Sequence, residues 1–344
     1  MQLQRRLRCG DELHLRGQFN TGLRRRRELR VLHVNFNLRL DQNVSWSFEA
    51  AGKASDWLET FAEAMGLSED AGKSRRHLLF EELPSQPGIP LGPVLGKSLI
   101  RLPAGKWRFR ELGGLSFFEH PAARTIFCGL EAGLDWLLQV DQMRRSLFPV
   151  YVDAVLAGGI PVHGALVEHK GSGVILAGRS GEGKSTACGR LPVPWRTVSD
   201  DMCLVLKSPA AGFQAYPLPT WSIFRHDHTS GRCRAGRLLP LRAVFFLKQA
   251  PEDECLEMKR SAAAISLASV ALQVFRSIDS EFPRAEDSDV KRGLYANAAS
   301  LALAIPSHLL RISLTGCFWE KMEEVLEKGD SPHFQHETRG WKTA

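Results

Sequence analysis

No uninterrupted apolar run in the 344 residues approaches the ~20 needed to span a bilayer, so the sequence predicts no transmembrane helix and no membrane partner. The first thirty residues are polar and broken by charges, and the absence of an apolar segment there argues against a secretory signal. No two cysteines are spaced CxxC. Seven of them, an odd number, lie at irregular intervals, which argues against a zinc ribbon or a disulfide framework and points to reduced thiols in a cytoplasmic setting. Residues 31 to about 120 carry no chemical motif and no internal repeat. What is present is ordinary for a globular chain, at 44% hydrophobic and 24% charged residues. The length suits two domains, or one large one.

The net charge of +7 is unevenly placed. Residues 1–30 hold nine arginines, including the run Arg24 to Arg27, against only Asp11, Glu12 and Glu28. The remainder carries 36 basic and 35 acidic residues and is close to neutral. A basic segment of this kind suits nucleic acid or an acidic surface. The plainer reading is a disordered basic tail, or a translation start placed too far upstream, and nucleic acid is not expected as a partner.

From Val31 to Leu38 apolar and polar residues alternate, which predicts a strand. Ser55 or Asp56 is placed to cap a short helix carrying Trp57, Leu58, Phe61, Ala62 and Met65 on one face. Pro84, Pro87, Pro90 and Pro93 mark a loop. Lys106 to Arg110 alternates again and can pair with Ser116-Phe117-Phe118. Residues 31–130 therefore read as a small α+β region. Leu134, Trp136, Leu137, Val140, Met143 and Leu147 recur at helical spacing, and Pro149 opens a further short helix ending at Gly158-Gly159.

Two strands follow, Val162 to Glu168 and Val174 to Ala177, joined by the tight turn Lys170-Gly171-Ser172-Gly173. Directly after them stands Gly178-Arg179-Ser180-Gly181-Glu182-Gly183-Lys184-Ser185-Thr186. This matches the phosphate-loop pattern GxxxxGK[ST] with an apolar strand in front of it. The glycines allow torsions that turn successive N–H groups inward around a phosphate chain. The helix beginning near Lys184 adds its positive end. Lys184 supplies a mobile charge for the β- and γ-phosphates, and Ser185 a hydroxyl for Mg²⁺. The short hairpin leading into the loop can only join antiparallel neighbours, which predicts a mixed sheet and not an all-parallel one.

Sixteen residues after Lys184 the pair Asp200-Asp201 separates two predicted strands, 196–199 and 202–206. Neighbouring residues of an extended chain point to opposite faces, so the two carboxylates are expected to do different work. One suits Mg²⁺ and the other a proton from an acceptor hydroxyl. An Asx turn joining two strands is the alternative.

His163-Gly164, the 21-residue step from His163 to Lys184, and the paired aspartates together resemble the catalytic domain of HPr kinase/phosphorylase. The stretch Ala215-Tyr216-Pro217-Leu218-Pro219-Thr220-Trp221-Ser222 narrows the likeness. It is similar to the HPr kinase-like proteins found beside radical-SAM peptide-maturation genes, in particular the C component of the SynChlorMet cassette. The resemblance implies an α/β, phosphoenolpyruvate-carboxykinase-like P-loop domain over 131–328; the polar composition of 329–344 separately predicts a frayed end. The resemblance also implies ATP and Mg²⁺ as cofactors. His163 would lie beside the acidic pair, Asp200 would be the base, and Asp201 would support it at the metal with Ser185. Gly178, Ser180, Gly181, Glu182, Gly183, Lys184, Ser185 and Thr186 would hold the nucleotide.

One departure weakens the likeness. The basic-glycine-arginine-asparagine stretch of HPr kinases has no counterpart here, which puts HPr itself and reverse phosphorolysis in doubt. His226-Asp227-His228 reads as a polar loop, since alternating histidines without a fourth ligand make a poor metal site; the following Arg232, Arg234 and Arg237 suit phosphates or an acidic substrate, or equally a solvated loop. The expectation is a kinase that phosphorylates a hydroxyl of a peptide or protein, with radical-SAM maturation proteins as partners and homo-oligomerisation left open. The alternative is an ATP-binding accessory protein that transfers no phosphate to a partner. The rest reads as scaffold: a buried strand at 244–247, helices at 261–278 and 288–304, a strand at 309–314, and a last helix with Phe318, Met322, Val325 and Leu326 on its apolar face.

Overall fold

The computed structural model of the chain describes residues 33–41, 44–69, 73–83, 107–120, 123–179, 181–228 and 237–330. The basic segment, the proline-rich loop, Ser180, Arg232, Arg234 and residues 331–344 lie outside the described residues.

Among the described residues the first sheet has six strands: β1 His33–Arg39, β2 Ser45–Ala51, β3 Arg76–Leu83, β4 Arg108–Leu112, β5 Leu115–Glu119 and β6 Thr125–Glu131, in the order β1-β2-β3-β6-β5-β4. The sheet is mixed, with β2, β3 and β6 parallel and the outer pairings antiparallel. The expected pairing of 106–110 with 116–118 is present, Phe109 opposite Phe118. Helix α1, Ala54–Met65, crosses from β2 to β3 and buries Trp57, Leu58, Phe61, Ala62 and Met65. Neither Ser55 nor Asp56 caps it. The helix begins at Ala54, so both residues lie inside its first turn.

Helix α2, Trp136–Ser146, starts on Asp135, whose carboxylate accepts from Leu138 N at 2.9 Å. Its stripe is only partly core: Val140, Met143 and the following Leu147 are buried, whereas Leu137 is exposed. Helix α3, Phe148–Leu156, leads to the second sheet. That sheet has β7 Ile160–His169, β8 Ser172–Ala177, β9 Arg196–Ser199, β10 Met202–Ser208, β11 Gly212–Pro217, β12 Leu239–Gln249, β13 Glu254–Glu257 and β14 Ser307–Ile312. The order is β11-β10-β7-β8-β12-β14-β13, with β9 also on β7. β7 and β8 form the predicted antiparallel hairpin, with His169 opposite Ser172. β12 runs parallel to β8 and β14. The sheet is therefore mixed and the architecture α/β.

The hairpin strands alternate between two apolar layers, as a sheet covered on both faces requires. Ala165, Val167, Val174 and Leu176 face one layer with Ala187, Trp195, Phe318 and Met322. These come from α4, Lys184–Arg190, the loop after it, and α8, Phe318–Asp330. Leu166, Ile175 and Ala177 face the other layer. That layer is built on α3, α6 (Arg260–Ile278) and α7 (Ser288–Ala304), and it is continuous with Trp46, Phe48 and Phe80 of the first sheet and Phe61 of α1. The last helix runs on through Gly329 and Asp330. Among the described residues α6 is the single helix long and apolar enough, by length and composition, to cross a membrane. In the fold its Leu267, Ala271, Val274, Phe275 and Ile278 are buried in the core.

Candidate functional site

The glycine-rich loop leaves the end of β8 and enters α4. Gly181 and Gly183 hold φ of +86° and +91°, in the left-handed region where a side chain would be strained. Lys184 is buried, and its Nζ donates to the carbonyls of Gly178 at 2.8 Å and Arg179 at 3.1 Å. Burial pulls its pKa below the usual lysine range, against the opposing charges of Asp201 and Glu182. Glu182 Oε2 accepts from Arg179 N at 2.6 Å, so this side chain braces the loop from within. Gln249, at the end of β12, donates to the carbonyl of Gly181 at 2.8 Å. Ser185 and Thr186 are exposed in the first turn of α4.

β9 and β10 run antiparallel along the same strand, β7, and the ladder breaks between them at Asp200-Asp201. β9 pairs Ser199 with Leu166, and β10 pairs Met202 with His163. At the break Gly164 N donates to the Asp201 carbonyl at 3.0 Å. A Cβ on Gly164 would sit 3.0 Å from the Leu176 carbonyl, a tight contact that a side chain could make only if that backbone shifted by a few tenths of an ångström. Ser199 Oγ reaches the carbonyls of Met202 and Leu218, each at 2.8 Å, and pins the break closed.

The two carboxylates diverge as extended geometry requires. Asp200 accepts from Thr220 Oγ1 at 2.6 Å, and its charge is felt by Cys188 on α4. Asp201 Oδ1 lies 3.5 Å from His163 Nδ1. Burial raises the Asp201 pKa and the neighbouring Asp200 charge adds to the rise, while His163, Lys184 and Arg144 oppose it. Burial lowers the His163 pKa, helped by the Lys184 charge and opposed by Asp201. His163, Lys184 and both aspartates are thus brought into electrostatic contact.

A cleft of about 260 Å³ opens beside His163 and Asp201. Arg144, Trp221, Ser222, Arg225, Gln273 and Ser277 stand among its lining. Thr220 and Trp221 come from the stretch singled out in the sequence and sit at the start of α5, Trp221–Phe224. Arg144, Arg225, Gln273 and Ser277 carried no local signal. They belong to two helices and a loop that meet only in the fold. Of the histidine triplet, His228 stacks on Trp136 at 3.9 Å, and no cluster of three metal-ligating side chains exists among the described residues. Arg237 is exposed and lies outside the cleft lining.

Mg²⁺ is commonly held by one or two protein oxygens, with water or phosphate oxygens completing its shell. Ser185, exposed in the first turn of α4, and Asp200, held by the Thr220 hydroxyl, are hard oxygen donors of the kind such an ion takes.

The family model described as SynChlorMet cassette protein ScmC matches residues 126–327, and the chain belongs to that family. No curated protein matches the chain.

Proposed function

We propose that the protein is an HPr kinase-like, ATP- and Mg²⁺-dependent phosphotransferase. It moves the γ-phosphate to a hydroxyl on a peptide or protein, within a peptide-maturation cassette. The observation that carries the reading is the juxtaposition of the His163–Asp201 pair with the buried Lys184 on one side and an open cleft on the other.

In this reading the backbone of 178–183 and Lys184 hold the phosphates. Ser185 and Asp200 hold Mg²⁺, which when bound neutralises charge on the phosphate oxygens. Asp201 takes the proton of the acceptor hydroxyl as that oxygen bonds to the γ-phosphorus and the bond to the β-phosphate oxygen breaks. A carboxylate whose pKa is raised by burial is better matched to accept that proton than an ordinary one. His163, kept neutral near pH 7 by burial and by the Lys184 charge, orients Asp201 through its ring nitrogen. Sequence resemblance alone gives the base role to Asp200. The hydrogen bond from Thr220 and the cleft beside Asp201 favour the reverse assignment.

The test is transfer of labelled γ-phosphate from ATP to cassette peptides and partner proteins. Asp201→Asn should retain ATP affinity and lose at least the ~10²-fold typical of a missing general base. A wild-type protein that binds ATP, changes its affinity for a partner and transfers nothing would replace the kinase by an ATP-binding accessory protein.

A further inference from the structure

The cleft beside Asp201 has a charge arrangement that the phosphotransfer chemistry does not require. Asp141 is held by two arginines: Arg144 donates to its Oδ1 at 2.9 Å and Arg145 to its Oδ2 at 2.5 Å. Burial alone would raise the Asp141 pKa, yet hydrogen bonds from Arg145 and Arg144 keep it below the usual carboxylate range. The carboxylate is therefore ionised, and two guanidinium groups outweigh its single charge. Arg144 also donates to Ser277 Oγ at 3.0 Å and to the Ser277 carbonyl at 2.8 Å, so its position is rigid.

Arg145 stands outside the cleft lining; Arg225 brings a second arginine to it beside Arg144, with Asp141 and Asp201 as its carboxylates. It closes the short helix α5, its carbonyl accepts from Trp136 Nε1 at 3.0 Å, and its exposed side chain meets no carboxylate within 4.0 Å among the described residues. Gln273 and Ser222 contribute further polar groups to the lining. The buried Trp221 indole Nε1 has no hydrogen-bond partner among the described residues. The volume, about 260 Å³, lies below the roughly 300–1,000 Å³ of ordinary small-molecule pockets. It suits a side chain and its neighbour better than a whole nucleotide.

We propose that this cleft is the acceptor site and that it selects a peptide hydroxyl carried beside a carboxylate, as in a serine next to aspartate or glutamate. Arg225 pairs with that carboxylate, Arg144 supports it electrostatically, and the hydroxyl is left at Asp201. Arginine is the side chain whose planar fork matches a carboxylate with two parallel hydrogen bonds. The proposal rests on the phosphotransfer reading for its word "acceptor", but its binding claim can be measured without any transfer.

The probes are fluorescein-labelled nonapeptides with a central serine flanked by aspartates, by lysines or by alanines, titrated against the full-length protein and followed by anisotropy. The aspartate peptide should bind at least tenfold tighter than the lysine peptide. Arg225→Gln should erase most of that preference with melting temperature and ATP affinity unchanged, and Arg225→Glu should reverse it. Equal affinities for the three peptides, or a preference that survives Arg225→Gln, would overturn the proposal. The surviving preference would place the recognition elsewhere, for instance on the arginine-rich segment 1–30. Acidic selectivity that depends on Arg225, found together with no phosphate transfer to any serine peptide, would keep the cleft and remove the kinase.

Discussion

Thr220 gives its hydroxyl to Oδ1 of Asp200 at 2.6 Å. The donor stands at the head of a four-residue helix and the acceptor in a strand break twenty positions earlier, so this bond ties the two walls of the site together. It also sorts two chemically identical side chains, since Asp200 is held while Asp201 is left to His163 and the cleft. Thr220→Val keeps the shape and removes the donor. Stability should fall by about 1 kcal/mol, the usual net worth of one hydrogen bond. The Mg²⁺ concentration giving half-maximal ATP binding should rise, because the freed carboxylate must be ordered by the metal itself. Titrating ATP binding against Mg²⁺ in both proteins checks this, and superimposable curves would separate Asp200 from the metal.

Lys184→Ala should weaken ATP·Mg²⁺ binding at least tenfold, about 1.4 kcal/mol. The ammonium group also bonds the carbonyls of Gly178 and Arg179, so its removal loosens the loop as well as deleting the charge. Calorimetric titration is the measurement. Unchanged affinity would mean that nucleotide binds elsewhere.

The raised pKa of Asp201 has a consequence for stability. A carboxyl whose folded pKa lies above its unfolded one favours the folded state while protonated, and that contribution is lost as pH rises through the folded value. At pH 7 the ionised, partly buried Asp201 is therefore a destabilising group. Asp201→Asn should melt at a higher temperature than wild type at pH 7, a common trade between activity and stability. The difference should shrink towards zero as pH falls below the ordinary aspartate range of about 4, where the side chain is protonated in both states. Melting curves across that interval decide it, and a variant less stable than wild type at pH 7 would refute the destabilising role of the ionised Asp201.

Arg110, on the edge strand β4, donates to Asp279 at 2.7 Å and to Asp287 at 2.6 Å, and its guanidinium lies 4.5 Å from the ring centre of Phe148. Its side chain is 12% exposed and those of the two aspartates 3% and 6%, so this is an ion-pair cluster shielded from solvent, joining the first sheet to the helical layer of the second. Arg110→Ala should cost about 3 kcal/mol, the lower end for breaking a buried pair, since Arg284 also donates to Asp279. Arg110→Lys should recover only part, because a point charge cannot serve two carboxylates in fixed directions. Urea unfolding monitored by tryptophan fluorescence gives both values.

Much of the second sheet is readable as local pattern. The alternation in β7 and β8, the short turn between them, the glycine loop, the acidic break and the helices α6 and α7 all announce themselves within a few residues. The first sheet is less legible. Its interior strands β3 and β6, parallel to one another, contain the runs Leu78-Leu79-Phe80 and Ile126-Phe127-Cys128, buried on both faces. Such runs lack the alternation that marks a half-exposed strand. The start of α1 was misplaced for a related reason: a serine and an aspartate near a helix start resemble a cap, but one turn of backbone decides whether they stand before the helix or inside it.

Local sequence determined that a strand, a glycine loop and a lysine follow one another, and that two adjacent carboxylates in extended chain must point apart, because both follow from backbone geometry over a handful of residues. Tertiary structure alone decided which carboxylate meets which partner. His163 reaches Asp201 because β7 pairs with a strand some forty positions away, with Met202 opposite His163. Arg144, Arg225 and Ser277 converge on one cleft because two helices and a loop pack around that pair. Register and packing depend on contacts between distant segments, and no short stretch of sequence contains both sides of such a contact.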